Sequence, residues 1–295
     1  MKVAVIGANG QLGSDLVTAF TANGDVVRSL THAEIEIGDP DSVKACLESD
    51  APEIVVNTAA MHHVDKCEQA PTAAYGANAI GARNLAQVTR DLDAALVHIS
   101  TDYVFDGGKQ SPYEELDAPC PLNVYGNSKL AGEYYARTLN PKHFVVRTSA
   151  LYGTHQCRAK GGKNFVDLML HLARTRGHVR VVNDEFVTPT PTAHLARQIV
   201  SLGQSSDYGL YHATSEGNCS WYEFAREIFA QAGLAVNLEA AQPGEFPAKA
   251  PRPRYSVLEN RRLKELGINC FTSWQSGLQQ YLTEIKTASA ATEAA

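Results

Sequence analysis

The chain has 295 residues, 44% hydrophobic and 20% charged, with a formal net charge of −6. Such a length calls for one large α/β unit or two domains, and the acidic balance argues against a nucleic-acid partner or an anionic membrane surface. No apolar run nears the ~20 residues that span a bilayer, no secretory h-region follows Met1, and Cys46, Cys67, Cys120, Cys157, Cys219 and Cys270 form no C-x-x-C pair, so they read as reduced thiols of a cytoplasmic protein.

In chain order, the β-branched runs KVAVI (2–6), VVRSL (26–30), EIVVN (53–57), ALVHIS (95–100) and HFVVRT (143–148) alternate with helical patterns at 11–22, 40–49, 71–92 and 125–139. Each helix is long enough for a crossover, so the fold class expected is α/β, a Rossmann-type doubly wound parallel sheet over residues 1–150. Beyond Thr148 the alternation weakens. Helices near 164–175, 192–203, 220–232 and 271–284 and short strands near 179–182 and 209–213 suggest a smaller, mostly helical C-terminal substrate lobe (151–286), with the chain re-entering the first domain around 179–213. Residues 287–295, TASAATEAA, read as a disordered tail.

Charge is unevenly placed. Nine Lys/Arg face one acid between Arg137 and Arg180, and six face Glu259 between Lys249 and Lys264. A basic second lobe on an acidic protein suggests a small polyanionic ligand, and Arg252 or Arg254 in PRPR is the expected contact to its diphosphate.

VAVIGANGQLG sets Gly7, Gly10 and Gly13 between a strand and a helix. Gly7 permits the turn, Gly10 lets a pyrophosphate approach the backbone, and Gly13 allows close helix packing. No carboxylate stands in the second strand before Glu34, and Arg28 is available to a 2′-phosphate, so NADPH is expected over NADH, with NADH a weaker option. Tyr125 and Lys129 in YGNSK lie four apart on a helix and share a face. They follow the strand ending in Ser100 and Thr101, where ligands bind in such sheets. An adjacent ammonium is expected to lower the phenol's pKa, and Thr101 can polarise a carbonyl. His62 and His63 carry no further ligands, so no metal site is expected.

VIGANGQLG, VVNTAAMHHVDKCE (55–68), STDYVFDG (100–107), PLNVYGNSKLAGE (121–133), RTSALYG (147–153) and PRPRYSVLEN (251–260) together resemble the dTDP-4-dehydrorhamnose reductase family, extended short-chain dehydrogenase/reductases. The resemblance implies reduction of a dTDP-4-keto-6-deoxy sugar in dTDP-rhamnose biosynthesis, with Thr101 orienting the carbonyl, Tyr125 giving the proton and Lys129 holding the nicotinamide ribose. It puts Gly10, Gln11 and Leu12 at the pyrophosphate, Asp39 on the adenine side, Ala59, Ala60 and Met61 at the ribose, and His62, Val64 and Asp102 towards the sugar. Ala150 stands where the family usually has a Trp against the sugar, and Leu30 where an acid often ends the second strand. The partner implied is a nucleotide-sugar substrate, with a homodimer left open. A non-catalytic alternative resembles the regulatory β subunit of methionine adenosyltransferase, which shares STDYVFDG and the Tyr-x-x-x-Lys helix.

Overall fold

The computed structural model describes residues 1–156, 161–242, 244–246 and 249–293. Its first half runs β1 (Lys2–Ile6), α1 (Gln11–Ala22), β2 (Val26–Leu30), α2 (Pro40–Glu48), β3 (Ile54–Asn57), α3 (Val64–Gln69), α4 (Pro71–Tyr75), α5 (Gly81–Asp91), β4 (Ala95–Thr101), α6 (Val124–Leu139) and β5 (His143–Thr148). β3 and β4 are buried along almost their whole length. Crossover helices cover both faces of a parallel sheet, which is why these strands read as continuous apolar runs. The helix expected over 71–92 is interrupted by a π turn, Gly76–Ile80, that carries the buried Asn78. Such turns gather at functional sites.

The second half contains β6 (Leu151–Tyr152), α7 (Phe165–Arg176), β7 (His178–Val181), β8 (Phe186–Val187), β9 (Thr190–Pro191), α8 (Thr192–Gly203), β10 (Gly209–His212), β11 (Cys219–Ser220), α9 (Trp221–Ala232), β12 (Asn237–Ala240), α10 (Arg261–Glu265) and α11 (Trp274–Glu293). β10 pairs in parallel with β5, giving a six-stranded sheet of order β10-β5-β4-β3-β1-β2. Leu195, Ala196 and Ile199 of α8 share a core with Val3, Val5, Leu16 and Phe20. The doubly wound α/β architecture expected from the strand-helix alternation is therefore present.

Two expectations need correction. β7 does not join this sheet but pairs with β12, because its alternating Val179 and Val181 bury into a second core around Phe224, Ile228 and Trp274. Residues 287–293 belong to α11 rather than to a disordered tail. Their Ala-rich composition contains no helix breaker, and Ala is the best helix former. Cys46, Cys67, Cys120, Cys219 and Cys270 are unpaired, while Cys157, Arg158 and Lys160 lie outside the described residues. Among the described residues no helix is long and apolar enough to cross a membrane.

Candidate active site

The strand-to-helix turn after β1 is shaped by its glycines. Gly7 sits at φ +78°, and a Cβ on Gly13 would lie 2.1 Å from the Gly7 carbonyl oxygen, so neither position tolerates a side chain. Gly7 and Ala8 both donate to the Leu30 carbonyl at 2.8 and 3.1 Å, tying the turn to the end of β2. α1 starts at Gly10 with no side-chain cap and no acid in its first turn, in contrast with α2, α6, α7 and α9, which are capped by Asp39, Asn123, Asn164 and Ser220. Uncapped N–H groups and the positive end of the helix dipole make this terminus a seat for an anion.

The other expected cofactor positions divide. Leu12 packs into the core, which leaves only its backbone for a ligand. Gln11 reaches across with Nε2 to the Gly153 and His155 carbonyls, both at 3.1 Å. Asp39 caps α2 by accepting from Asp41 N at 3.0 Å. Ala59, Ala60 and Met61 follow β3 on the same edge, half-buried. Met61 is clasped by Asn78, which accepts from its N–H at 2.8 Å and donates to its carbonyl at 3.0 Å.

Arg28 is not part of this site. Its guanidinium donates to the Cys46 carbonyl at 2.9 Å and pairs with Asp50, because the C-terminal end of α2 offers unpaired carbonyls and negative dipole to a nearby cation. The acid-free end of β2 is also filled: Glu34 folds back to accept from Thr31 N (2.8 Å) and Thr31 Oγ1, and these bonds hold its carboxyl below the usual range. The Glu34 carboxylate is thus held against Thr31, the residue that follows Leu30. Glu34→Gln is expected to raise the NADPH-over-NADH ratio of kcat/KM by about threefold to tenfold, since a fixed negative charge repels a 2′-phosphate. An unchanged ratio would place the ribose out of Glu34's reach.

At the other side of the sheet's carboxyl edge, Tyr125 and Lys129 lie on α6. Asn123 caps this helix by accepting from Gly126 N at 2.8 Å, and Glu68 of α3 accepts from Val124 N at 3.0 Å. Burial pushes the Tyr125 phenol above its ordinary value, against a hydrogen bond with Thr101. Lys129 does not act on Tyr125 as expected: its ammonium donates to the Ile99 carbonyl at 2.6 Å. Burial lowers Lys129 to about 8 while Glu133 holds it up. Tyr125 is therefore kept protonated, the state an acid for carbonyl reduction must have.

Asp102, expected towards the sugar, is instead a buried anchor, 4% exposed. Its Oδ1 accepts from Thr101 Oγ1 at 3.0 Å, and its Oδ2 accepts from Ser149 at 2.8 Å and Ser256 at 2.5 Å. A carboxylate buried beside β4 needs such donors, and three hydroxyls of the protein take up most of its roughly four acceptor sites. The next side chain, Tyr103, lies against the Tyr125 ring instead, edge-on at 5.9 Å. Arg252 acts electrostatically on Tyr103 and on Glu185, and its Nη2 lies 3.7 Å from Asp65. Arg254 is exposed, with no ion pair or side-chain hydrogen bond among the described residues.

Residues 250–260 form a strap along this edge. Asn123 Nδ2 donates to the Pro251 carbonyl at 2.8 Å, Ala250 N donates to Asp65 at 3.3 Å, and Ser256 reaches Asp102. Ala150 follows the anchored Ser149 with φ +46°, a conformation L side chains seldom adopt. Tyr152 is fully buried against Phe224 and Tyr281. Phe186 instead packs beside Tyr255 on the strap. His62 and Val64 lie half-buried on the rim after β3.

The basic stretches are not a clamp. Lys142 pairs with Asp93, Arg147 with Glu133, Arg180 with Glu245, Arg261 with Glu114 and Lys264 with Glu216. Acids from other segments thus pair with several of these cations, while Arg252 and Arg254 lie on the segment that reaches Asn123 and Asp102.

A doubly wound sheet with a glycine turn after its first strand and a Tyr-x-x-x-Lys helix beside its fourth is the arrangement of the short-chain dehydrogenase/reductase class. Within it, the chain belongs to the family described as RmlD substrate binding domain, whose model matches residues 1–287. It is 41% identical to a spore coat polysaccharide biosynthesis protein of Bacillus subtilis, covering 97% of this chain and 99% of that one. It is 38% identical to a Streptomyces niveus protein named dTDP-4-keto-6-deoxy-D-glucose reductase, covering 94% of each. Among solved structures, a dTDP-4-dehydrorhamnose reductase from Bacillus anthracis in complex with NADP superposes with a TM-score of 0.92 at 38% identity, covering 96% of this chain and 99% of that one.

Proposed function

We propose that this protein reduces the C4 ketone of dTDP-4-dehydro-L-rhamnose to give dTDP-L-rhamnose, with NADPH as cofactor. The observation that carries the reading is the placement of Tyr125 beside Thr101 on the sheet's carboxyl edge, with the buried Lys129 one turn along on the same helix. The names of the relatives support the substrate class, and the NADP complex of the Bacillus anthracis protein supports the cofactor.

The glycine cradle fits a dinucleotide: Gly10 N closes the turn onto the Gly7 carbonyl at 2.9 Å, and the close approach at Gly13 and the uncapped start of α1 leave backbone N–H groups of Gln11, Leu12 and Gly13 for a pyrophosphate. When bound, the dinucleotide supplies the hydride. Ala59, Ala60, Met61 and Lys129 would hold its riboses. Thr101 holds the Tyr125 hydroxyl in place, and Tyr125 gives its proton to the ketone oxygen as negative charge develops there. Tyr103 and Phe186 wall the sugar space, together with Ala150. Residues 1–150 with the returning α8 and β10 form the cofactor half, and the remainder of 151–286 the substrate half.

Arg254, with no ion pair or side-chain hydrogen bond among the described residues, and Arg252, 3.7 Å from Asp65, are cations offered to the substrate's diphosphate. Arg254→Ala is expected to raise KM for the nucleotide sugar about tenfold through loss of a charge-assisted contact at the rim, with KM for NADPH unchanged. An equal rise for both ligands would remove Arg254 from the substrate site.

Incubating the purified protein with NADPH and dTDP-4-dehydro-L-rhamnose, and following NADPH absorbance and the sugar product, tests the whole reading. Turnover dependent on Tyr125 supports it. NADPH binding without oxidation of the cofactor would favour a non-catalytic binding subunit, and turnover of only another 4-keto sugar would correct the substrate.

A further inference from the structure

A row of buried polar side chains crosses the sheet just beneath the reacting edge. Strand register sets Ser100 of β4 beside Arg147 of β5, and Arg147 beside His212 of β10, one residue before the Thr101 and Thr148 pair. Side chains buried in a sheet covered on both faces must find partners within the protein. Here they converge on Glu133, which lies on α6 four residues after Lys129 and therefore on the same helix face.

Arg147 Nε and Nη2 donate to the two Glu133 oxygens at 2.9 and 2.7 Å, and Ser100 Oγ donates to Oε1 at 2.5 Å. Behind them, His212 Nε2 lies 3.4 Å from Arg147 Nη1, while its Nδ1 is 2.9 Å from the Tyr113 carbonyl. Glu133 and Arg147 are each 1% exposed, and Lys129 is 3% exposed. The glutamate carboxylate is thus fixed by a forked guanidinium and a hydroxyl, without freedom to swing away.

We propose that Glu133 is a positioning residue for Lys129: its immobilised carboxylate is the counter-charge that keeps the buried ammonium protonated while the enzyme works. The inference rests on the reading of Lys129 as the cation that holds the nicotinamide ribose. The groups around Lys129 leave this role to Glu133. From β4 come the Ile99 carbonyl and His98, which burial and the Lys129 charge hold neutral. On α6 the neighbour is Tyr125, kept protonated, which itself feels Asp102 and Cys67. From β5 comes Arg147, on the far side of Glu133. Glu133 is the acid that acts on Lys129, and it opposes burial.

The test is a pH titration of 13Cε-lysine-labelled, cofactor-free protein by NMR, with Lys129→Arg to assign the resonance, in the parent and in Glu133→Gln. The Lys129 midpoint is expected near 8 in the parent and about one unit or more lower in the variant, because an opposite charge at close range favours the charged form. The alkaline limb of kcat should move down with it, so that activity lost at pH 8 returns in part on acidification. If Glu133→Gln does not fold, Glu133→Asp keeps a charge opposite Arg147 while drawing it back from Lys129, and a smaller shift of the same sign is expected. Superimposable Lys129 titrations, or a kcat lowered equally at every pH, would overturn the proposal and leave Glu133 a structural residue. Full activity in Lys129→Ala would instead defeat the reading of Lys129 itself.

Discussion

Tyr125→Phe is expected to lower kcat by about 10²–10⁴-fold, the usual worth of a general acid, while the affinity for NADPH stays within about twofold because no contact to the glycine turn is lost. The ring keeps its edge contact with Tyr103, so the pocket wall is preserved and the loss is confined to the proton. Thr101 would then lose the phenol it hydrogen-bonds but retain Asp102 and the Tyr103 N–H. Rapid-mixing measurements of NADPH oxidation should place the defect in the chemical step. Turnover within a few-fold of the parent would remove Tyr125 from the mechanism and point to another donor.

The second large effect concerns stability. Arg147→Met should destabilise the fold by about 3–5 kcal/mol, since it leaves Glu133 as an unpaired charge in the interior. Arg147 also stacks over Phe105, with the guanidinium carbon 5.1 Å from the ring centroid, a contact Met can partly replace. The double variant Glu133→Gln with Arg147→Met removes both charges and should be less destabilised than the sum of the single variants, because exchange of a whole buried pair for neutral groups is often tolerated. Urea unfolding of the four proteins gives the coupling. Simple additivity would mean that the two residues stand apart in solution.

Local patterns carried much of this from the sequence. β1, β3, β4 and β5 were legible because crossover helices bury both faces and leave largely apolar, β-branched runs, the edge strand β2 from its Val-Val start, and Gly7 and Gly13 because only their lack of a Cβ permits the turn. What depends on tertiary pairing was not. Arg28, expected at a 2′-phosphate, found a local partner at the end of α2, and Glu34, to which the sequence alone assigned no role, folds back on Thr31. Asp102 was placed towards the sugar by the resemblance, yet its oxygens accept from the neighbouring Thr101 and from Ser149 and Ser256 of other segments. The basic stretches looked like a binding face because the acids that neutralise them, such as Asp93, Glu114 and Glu216, lie far away in sequence. Glu133 went unnoticed, although a signal was present: Arg147 interrupts the otherwise apolar run FVV in HFVVRT, and a cation inside a buried strand demands an acid nearby.

The strap of residues 250–260 has a bearing on how such enzymes diverge. Its bonds land on the cap of the catalytic helix and on the partner of Thr101, so one wall of the sugar space is stitched to the reacting groups. Altering that wall disturbs the chemistry along with the fit. Phe186 belongs to the same network: its N–H donates to the Arg254 carbonyl at 2.8 Å and its carbonyl accepts from Ser256 N at 3.0 Å, while Ala150 follows Ser149, which donates to Asp102 at 2.8 Å. A library meant to retarget this scaffold therefore has to vary Phe186 and the strap together while keeping the Ser149 and Ser256 bonds to Asp102.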